Sequence, residues 1–341
     1  MNKKLTNKNN LKKEKMRFSF LLPFWYPFLL KKEVTIQPKK VDFFSKPFLI
    51  YKNINKNYTI HSDICPHQGA SLSKGYVDEK GRLNCPYHGF QFKNGYFCNI
   101  PGSNTNTEKS KKNTIQIKNS LQSCSPEEDN LIFVSLQNET EHLPNIFYPP
   151  EEYNSSFRSV SGTIKISTHY MSVCENLLDM LHISYVHHFG SKQNPLPYNI
   201  SFETLSDYHG RSIFLYKPNP NTISGKLGRT KEVKVENEYI LPTNTITRVT
   251  AGNVIKTVFT RSIPVSEKET ILYWTIYRNF LLHSFFDFFM QMLMERTLEE
   301  DVSILKNVYS KYRNGTIKTQ YDRTILKFRK ACKKFEKRIR F

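Results

Sequence analysis

The chain has 341 residues, with 50 Lys and Arg against 30 Asp and Glu, a formal net charge of +20, and six cysteines. That length gives room for two domains with real cores, while six scattered cysteines exclude a disulfide-framework protein and suit a reducing compartment. Positive charge gathers at the ends, eleven Lys and Arg in residues 1–40 and thirteen in 306–341, but no aromatic-interleaved basic patch or nucleic-acid module accompanies it. A solvated surface is therefore the first reading of these ends, and no nucleic-acid partner is expected.

Residues 1–17, rich in Lys and Asn, read as a disordered tail. Two apolar runs, Phe18–Leu30 and Phe280–Met294, are too short to span a bilayer, and Pro23 and Pro27 interrupt the first, His283 and Asp287 the second. The first follows a basic leader but lacks the small-residue cleavage site of a signal peptide. Packed core is the expected fate of both runs, and no transmembrane segment is expected. As far as Leu136 the pattern is one of short strands: Phe48–Tyr51 and Leu131–Leu136 read as strands and Asn94-Gly95 as a hairpin turn. Ser103–Asn113 is polar and reads as a surface loop. Pro144, Pro149 and Pro150 mark a linker. Beyond it, Lys231–Leu241, Ile246–Pro264 and Thr270–Arg278 read as neighbouring antiparallel strands with a turn at Gly252-Asn253, flanked by helices near 171–188, 281–309 and 321–338. The expected fold class is α+β: an N-terminal all-β domain over 18–145 and an antiparallel-sheet-and-helix domain over 146–341.

Two stretches carry metal chemistry. Cys65, His67, Cys85 and His88 form a C-x-H…C-x-x-H pattern. Two thiolates on one iron and two imidazoles on another would hold a [2Fe-2S] cluster asymmetrically; Cys2His2 sets equally suit tetrahedral zinc. The second stretch is Glu175–His187. Non-haem Fe(II) sites use two His and one carboxylate on one face of the metal. Asp179 and His182 share a helix face, whereas His182 and His187 lie about 140° apart on an ideal helix. Both can reach one metal only if the helix breaks, and Ile183–Val186 is poor enough in helix formers for that. A carboxylate must come from later in the chain, where Glu299, Glu300 and Asp301 stand together. Met294, Leu298, Asp301, Leu305 and Val308 form one stripe; Glu300 points to the opposite side and Glu299 well off it, so Asp301 is selected.

The stretches CPHQGASLSKG and GRLNCPYHGFQF resemble the two ligand loops of Rieske proteins, CPH-x-GA and CPYHG, which favours the cluster over zinc. Gly69, Gly75 and Gly89 would let these loops close over the sulfurs. Gln68 departs from the pattern, standing where many relatives have Arg. The FWYP start at Phe24 and the D-x-x-H-x-x-x-x-H segment from Asp179 extend the resemblance to Rieske non-haem iron oxygenases across most of the chain after Phe24. ENLLD-x-x-H, together with YRNF at Tyr277–Phe280, looks closest to the monooxygenase branch of vanillate O-demethylase-like, pheophorbide and chlorophyllide oxygenases.

The resemblance implies a Rieske [2Fe-2S] cluster on Cys65, His67, Cys85 and His88, a mononuclear Fe(II) on His182, His187 and Asp301, and a helix-grip-like catalytic domain. His188 is the competing ligand beside His187. Asp179, with Asn176 in the same catalytic set, would link His182 to a cluster histidine of a neighbouring subunit, so a homotrimer is expected. Electrons would come from a ferredoxin or an NAD(P)H-dependent reductase, and O2 would hydroxylate, dihydroxylate or demethylate a small aromatic or cyclic substrate. The alternative is an electron-transfer or redox-sensing protein that performs no oxygenation. A soluble protein of the cytoplasm or another reducing compartment is expected, with an organellar address left open.

Overall fold

The computed structural model describes residues 24–102, 115–117, 120–135, 143–188, 190–217, 232–309 and 314–338. The Lys/Asn-rich tail and the whole of the expected loop at Ser103–Asn113 lie outside them. The chain divides into two compact units, Pro23–Pro144 and Asn145–Phe341.

Among its described residues the first unit holds ten short strands: β1 (Tyr26–Leu30), β2 (Lys39–Phe43), β3 (Lys46–Lys52), β4 (Tyr58–Ser62), β5 (Tyr76–Val77), β6 (Leu83–Asn84), β7 (Gln91–Lys93), β8 (Tyr96–Asn99), β9 (Gln122–Cys124) and β10 (Leu131–Ser135). They form three antiparallel sheets, in the orders β1-β10-β9, β2-β3-β4 and β5-β6-β7-β8. The apolar run of β3 is buried on both faces from Phe48 to Tyr51. Asn94 and Gly95 both take positive φ, 50° and 82°, which matches the right-handed twist of β7 and β8 across a two-residue turn. Phe24 to Leu29 supply core, with Tyr26 and Phe28 packed edge-to-face on Phe43.

The second unit is a seven-stranded antiparallel sheet with helices on one face. Its strands are β11 (Arg158–Ile166), β12 (Tyr198–Ser206), β13 (His209–Tyr216), β14 (Val233–Ile240), β15 (Asn244–Ala251), β16 (Val254–Ser266) and β17 (Glu269–Arg278), in the order β11-β17-β16-β15-β14-β13-β12. The three expected strand regions are neighbours, with Gly252-Asn253 joining β15 to β16. Strand alternation turns Leu272, Trp274 and Ile276 towards the helices, where they meet Val173, Met294 and Leu298. The opposite face carries Arg248, which donates to Glu151 at 2.5 and 3.1 Å and to Glu236 and Glu238 at 3.1 Å.

The helices correct the sequence reading in two places. The helix expected near 171–188 is two pieces, α1 (Tyr170–Leu178) and α2 (His182–Val186), broken at Asp179 rather than within Ile183–Val186. The long helix is α3 (Phe285–Leu305), and its apolar run is not wholly core. Met290, Met294, Leu298, Asp301 and Leu305 face inward, whereas Phe285, Phe288, Phe289 and Met292 are exposed. A helix side chain can reach the sheet only from one stripe, so an apolar run that fills the circumference leaves part of itself outside. Val308 lies beyond the helix end and is exposed. The last helix, α4 (Arg323–Arg338), ties to α1 through a bidentate Arg329–Glu175 pair with both contacts at 2.8 Å. No helix among the described residues is long and apolar enough to cross a membrane.

Candidate metal centres

The two cysteine loops of the first unit repeat one backbone design. Cys65 N–H donates to Ala70 C=O and Gly69 N–H to Cys65 C=O, both at 2.9 Å; Cys85 N–H donates to Phe90 C=O at 2.9 Å and Gly89 N–H to Cys85 C=O at 3.1 Å. Each loop closes through a left-handed residue, and Gly69 (φ 78°) and Gly89 (φ 69°) fill those positions. Gly75 serves differently: a Cβ there would lie 1.9 Å from Asn84 C=O, so only glycine lets the first loop lie this close to the second. Asp63, buried, braces the first loop by accepting from Ser71 Oγ (2.6 Å), Ser73 N–H (2.6 Å) and Ser73 Oγ (3.0 Å).

The donors segregate into like pairs. Cys65 and Cys85 are buried and share a thiol hydrogen bond, and the backbone N–H groups of His67 and Gln68 point at the Cys65 sulfur. Burial pushes the Cys65 thiol up, Cys85 adds to the push, and those N–H groups oppose it. His67 and His88 face each other at 4.8 Å between ring centroids, exposed on their outer sides, with Phe90 stacked on His67 at 4.3 Å and Tyr87 against His88 at 3.7 Å. A thiol pair inside and an imidazole pair outside is the division that an asymmetric two-iron cluster requires and a single tetrahedral zinc does not.

The second constellation arises where α1 ends. Asp179 leaves helical geometry (φ −70°, ψ 129°), and its Oδ1 accepts from the N–H groups of Leu181 (2.6 Å) and His182 (3.1 Å), which starts α2. His182 Nδ1 lies 2.9 Å from Asp179 C=O; a proton on Nδ1 satisfies that contact and leaves Nε2 as an acceptor. At the other end of α2, His187 is extended (φ −87°, ψ 138°), so the chain turns its ring back towards His182. The five-residue spacing thus converges because α2 stops at His187. The two Nε2 atoms are 3.2 Å apart, and Asp301 Oδ1 lies 3.5 Å from each.

Asp301 is 4% exposed, and its Oδ1 has no hydrogen-bond partner, an expensive state for a carboxylate unless a cation completes it. A metal about 2.1 Å from each donor would itself set donor separations of about 3–3.5 Å. Burial pulls the His187 pKa down, His182 reinforces this, and Asp301 and Glu300 oppose it, so the ring is held towards its neutral, metal-binding form. Among the described residues these three form a set whose donor atoms all lie within 4.8 Å of one another. Two imidazoles and one carboxylate on one side match the facial arrangement of non-haem Fe(II).

Glu300 corrects the sequence reading, which turns it away. It accepts from His187 Nδ1 and His188 Nδ1, each at 3.0 Å, and so fixes His187 with Nε2 free. Its neighbour Asp301 projects about 100° away on the helix, and the longer Glu side chain bends back to the same histidine. His188, more exposed, is held outside the triad by this bond. Asn176 lies on the last turn of α1 with Nδ2 buried and unpartnered; it does not join the triad. The triad opens on a cavity of about 440 Å³, within the size range of small-molecule sites and floored by aliphatic residues such as Val235, Val249, Val258 and Ile276.

Residues 24–116 match the Rieske [2Fe-2S] domain, and residues 166–338, just over half of the chain, match the vanillate O-demethylase oxygenase C-terminal domain. The chain belongs to the Rieske oxygenases, with a C-terminal domain of the vanillate O-demethylase type. The dicamba O-demethylase oxygenase component of Stenotrophomonas maltophilia is 26% identical over 174 residues, 50% of this chain and 48% of that protein. Pheophorbide a oxygenase of Arabidopsis thaliana, a chloroplastic protein, is 26% identical over 192 residues, 52% of this chain and 35% of its own length. The aligned parts thus span less than half of these relatives. In fold, Pseudomonas putida CBB5 NdmA with caffeine superposes at a TM-score of 0.77 with 18% identity, over 95% of this chain and 92% of that one. The N-terminal Rieske domain and the sheet-and-helix C-terminal domain are those of the family's oxygenase subunits, as the sequence motifs imply.

Proposed function

We propose that the chain is the oxygenase component of a Rieske non-haem iron system, with Cys65, Cys85, His67 and His88 as cluster ligands and His182, His187 and Asp301 as ligands of a mononuclear Fe(II). When bound, the cluster supplies single electrons and the mononuclear iron supplies a site for activating O2. The observation that carries this reading is the buried triangle of two Nε2 atoms and an unpartnered Asp301 Oδ1 beside an apolar cavity. An electron carrier needs neither the triangle nor the cavity.

The side chains have separate tasks. Asp179 and Glu300 fix the two histidines through their Nδ1 atoms, so that both Nε2 lone pairs converge. The Asp179 carboxylate keeps part of its surface open after capping α2, and we assign to it the contact with a cluster histidine of a neighbouring copy in a homotrimer. Asn176 belongs with it as a polar group at the end of α1. The aliphatic walls exclude water and receive an aromatic or cyclic substrate for hydroxylation or demethylation, with a ferredoxin or NAD(P)H-dependent reductase as donor. Asp301→Ala tests the assignment: the variant should lose the mononuclear iron and keep the cluster's absorption spectrum. Retention of both iron pools would refute the role given to Asp301.

A further inference from the structure

One row of side chains crosses the sheet beneath the cavity: Asn237 on β14, Thr247 on β15, Val258 on β16 and Ile276 on β17. Register partners in antiparallel strands share a face, so all four turn to the helices. Thr247, Val258 and Ile276 line the cavity, and Asn237 ends the row fully buried, under the last turn of α1.

The cavity lining holds four threonines, and three of them are engaged within the protein. Thr245 and Thr260 bond each other at 2.6 Å, and Thr297 donates to Leu293 C=O at 2.8 Å. Thr247 has no hydrogen bond among the described residues. A floor position that needed only bulk is filled by Val at 235, 249 and 258, which matches Thr in volume and lacks the hydroxyl. Its neighbour gives that hydroxyl a direction. Asn237 Nδ2 donates to Leu178 C=O at 3.4 Å, and its Oδ1 is buried without a partner. Cross-strand partners stand about 4.5–5.5 Å apart at Cβ, within reach of a hydroxyl and an amide oxygen after a side-chain rotation. An orphaned acceptor at zero exposure draws the one proton that a threonine hydroxyl carries. What then remains on Thr247 Oγ1 is acceptor capacity, facing an otherwise aliphatic floor.

We propose that Thr247 is a specificity-determining residue: it turns its proton to Asn237 Oδ1 and accepts a hydrogen bond from the substrate, so that the cavity selects apolar rings bearing a neutral donor, a phenolic O–H or a ring N–H. This rests on the oxygenase reading and narrows its substrate class. A ring without a donor leaves the Thr247 oxygen desolvated and unpaired, and that is the source of the discrimination.

Equilibrium binding tests the proposal without turnover. Anaerobic titration calorimetry on the holoprotein compares indole with benzofuran and 4-ethylphenol with 4-ethylfluorobenzene, in the wild type, Thr247→Val and Thr247→Ser. Within each pair the shapes nearly match and only the first member can donate. The wild type should bind each donor at least about fivefold more tightly than its counterpart. Thr247→Val should bring each pair to within about twofold with benzofuran binding kept, and Thr247→Ser should retain most of the preference. An undiminished preference in Thr247→Val overturns the proposal, as does a wild type with no preference or no measurable binding of either donor. The ketone 1-indanone, which accepts but cannot donate, should differ by less than about twofold between wild type and Thr247→Val. A larger loss would assign the hydroxyl proton to the substrate and overturn the donor selectivity. Should Thr247→Val alter the near-ultraviolet circular dichroism, Thr247→Ala is read in its place. Iron content is measured on the same samples: donor selectivity without a loadable mononuclear iron would sink the oxygenase reading and leave the role of Thr247 standing.

Discussion

Glu300→Gln removes one charge and almost no volume from the shell behind the mononuclear site. Glu300 accepts Nδ1 of His187 and Nδ1 of His188, one with each carboxylate oxygen, both at 3.0 Å. Partial burial works against its ionisation, but the hydrogen bonds from His187 and His188 outweigh it and hold the carboxyl below its usual range. A glutamine has one acceptor oxygen and an NH2 group, so one of the two imidazole protons would meet another donor. If His187 loses its acceptor, its ring is no longer fixed with Nε2 free, and the basicity lent by the carboxylate disappears. Such partners behind a ligating histidine are worth about 10–100-fold in metal affinity, about 1.4–2.7 kcal/mol. The assay is anaerobic competition for Fe(II) with a chromophoric chelator on cluster-intact protein, with His188→Ala as control. Glu300→Gln should weaken Fe(II) within that range while His188→Ala stays close to wild type. A Glu300→Gln affinity within about twofold of wild type would refute the reasoning.

Three further outcomes are expected. In Gly162→Ala the new Cβ would lie 2.4 Å from the Trp274 ring, which is fully buried, so the urea midpoint should fall by an amount equivalent to about 1–3 kcal/mol; no loss would show that the β11–β17 pair relaxes freely. Asp287→Asn leaves the fully buried Arg278 without its carboxylate and should cost about 3–5 kcal/mol in the same measurement, with a cost below about 1 kcal/mol counting against a structural role for the pair. Burial lowers the His61 pKa to about 4. Stability from keeping this ring neutral is fully present above the unfolded value of about 6.5 and is lost as pH falls through that value towards 4. Between pH 7 and pH 5 the advantage of wild type over His61→Gln should therefore shrink by about 2 kcal/mol, and a constant difference would contradict the assignment.

The convergence of the candidate ligands was legible because their chemistry is carried by residue type and spacing. C-x-H and C-x-x-H loops with closing glycines admit few alternatives, and an Asp on an apolar helical stripe calls for a cation. The β14–β17 neighbours were legible from β-rich runs and the Gly252-Asn253 turn. The break at Asp179 was misplaced because propensity flags Ile183–Val186, whereas the actual event is a side-chain cap: Asp179 Oδ1 takes the N–H groups that start α2. Glu300 was missed because a wheel projection places Cα directions and ignores a long side chain that reaches around. The exposed phenylalanines of α3 show the same limit, as hydrophobicity alone does not say which turn meets the sheet.

The most direct test of the central claim is iron and acid-labile sulfide content of anaerobically purified protein, with EPR after dithionite reduction. The account predicts about three irons and two sulfides per chain and a Rieske-type signal of low average g. Two irons and two sulfides, with no third iron taken up after incubation with Fe(II), would contradict it.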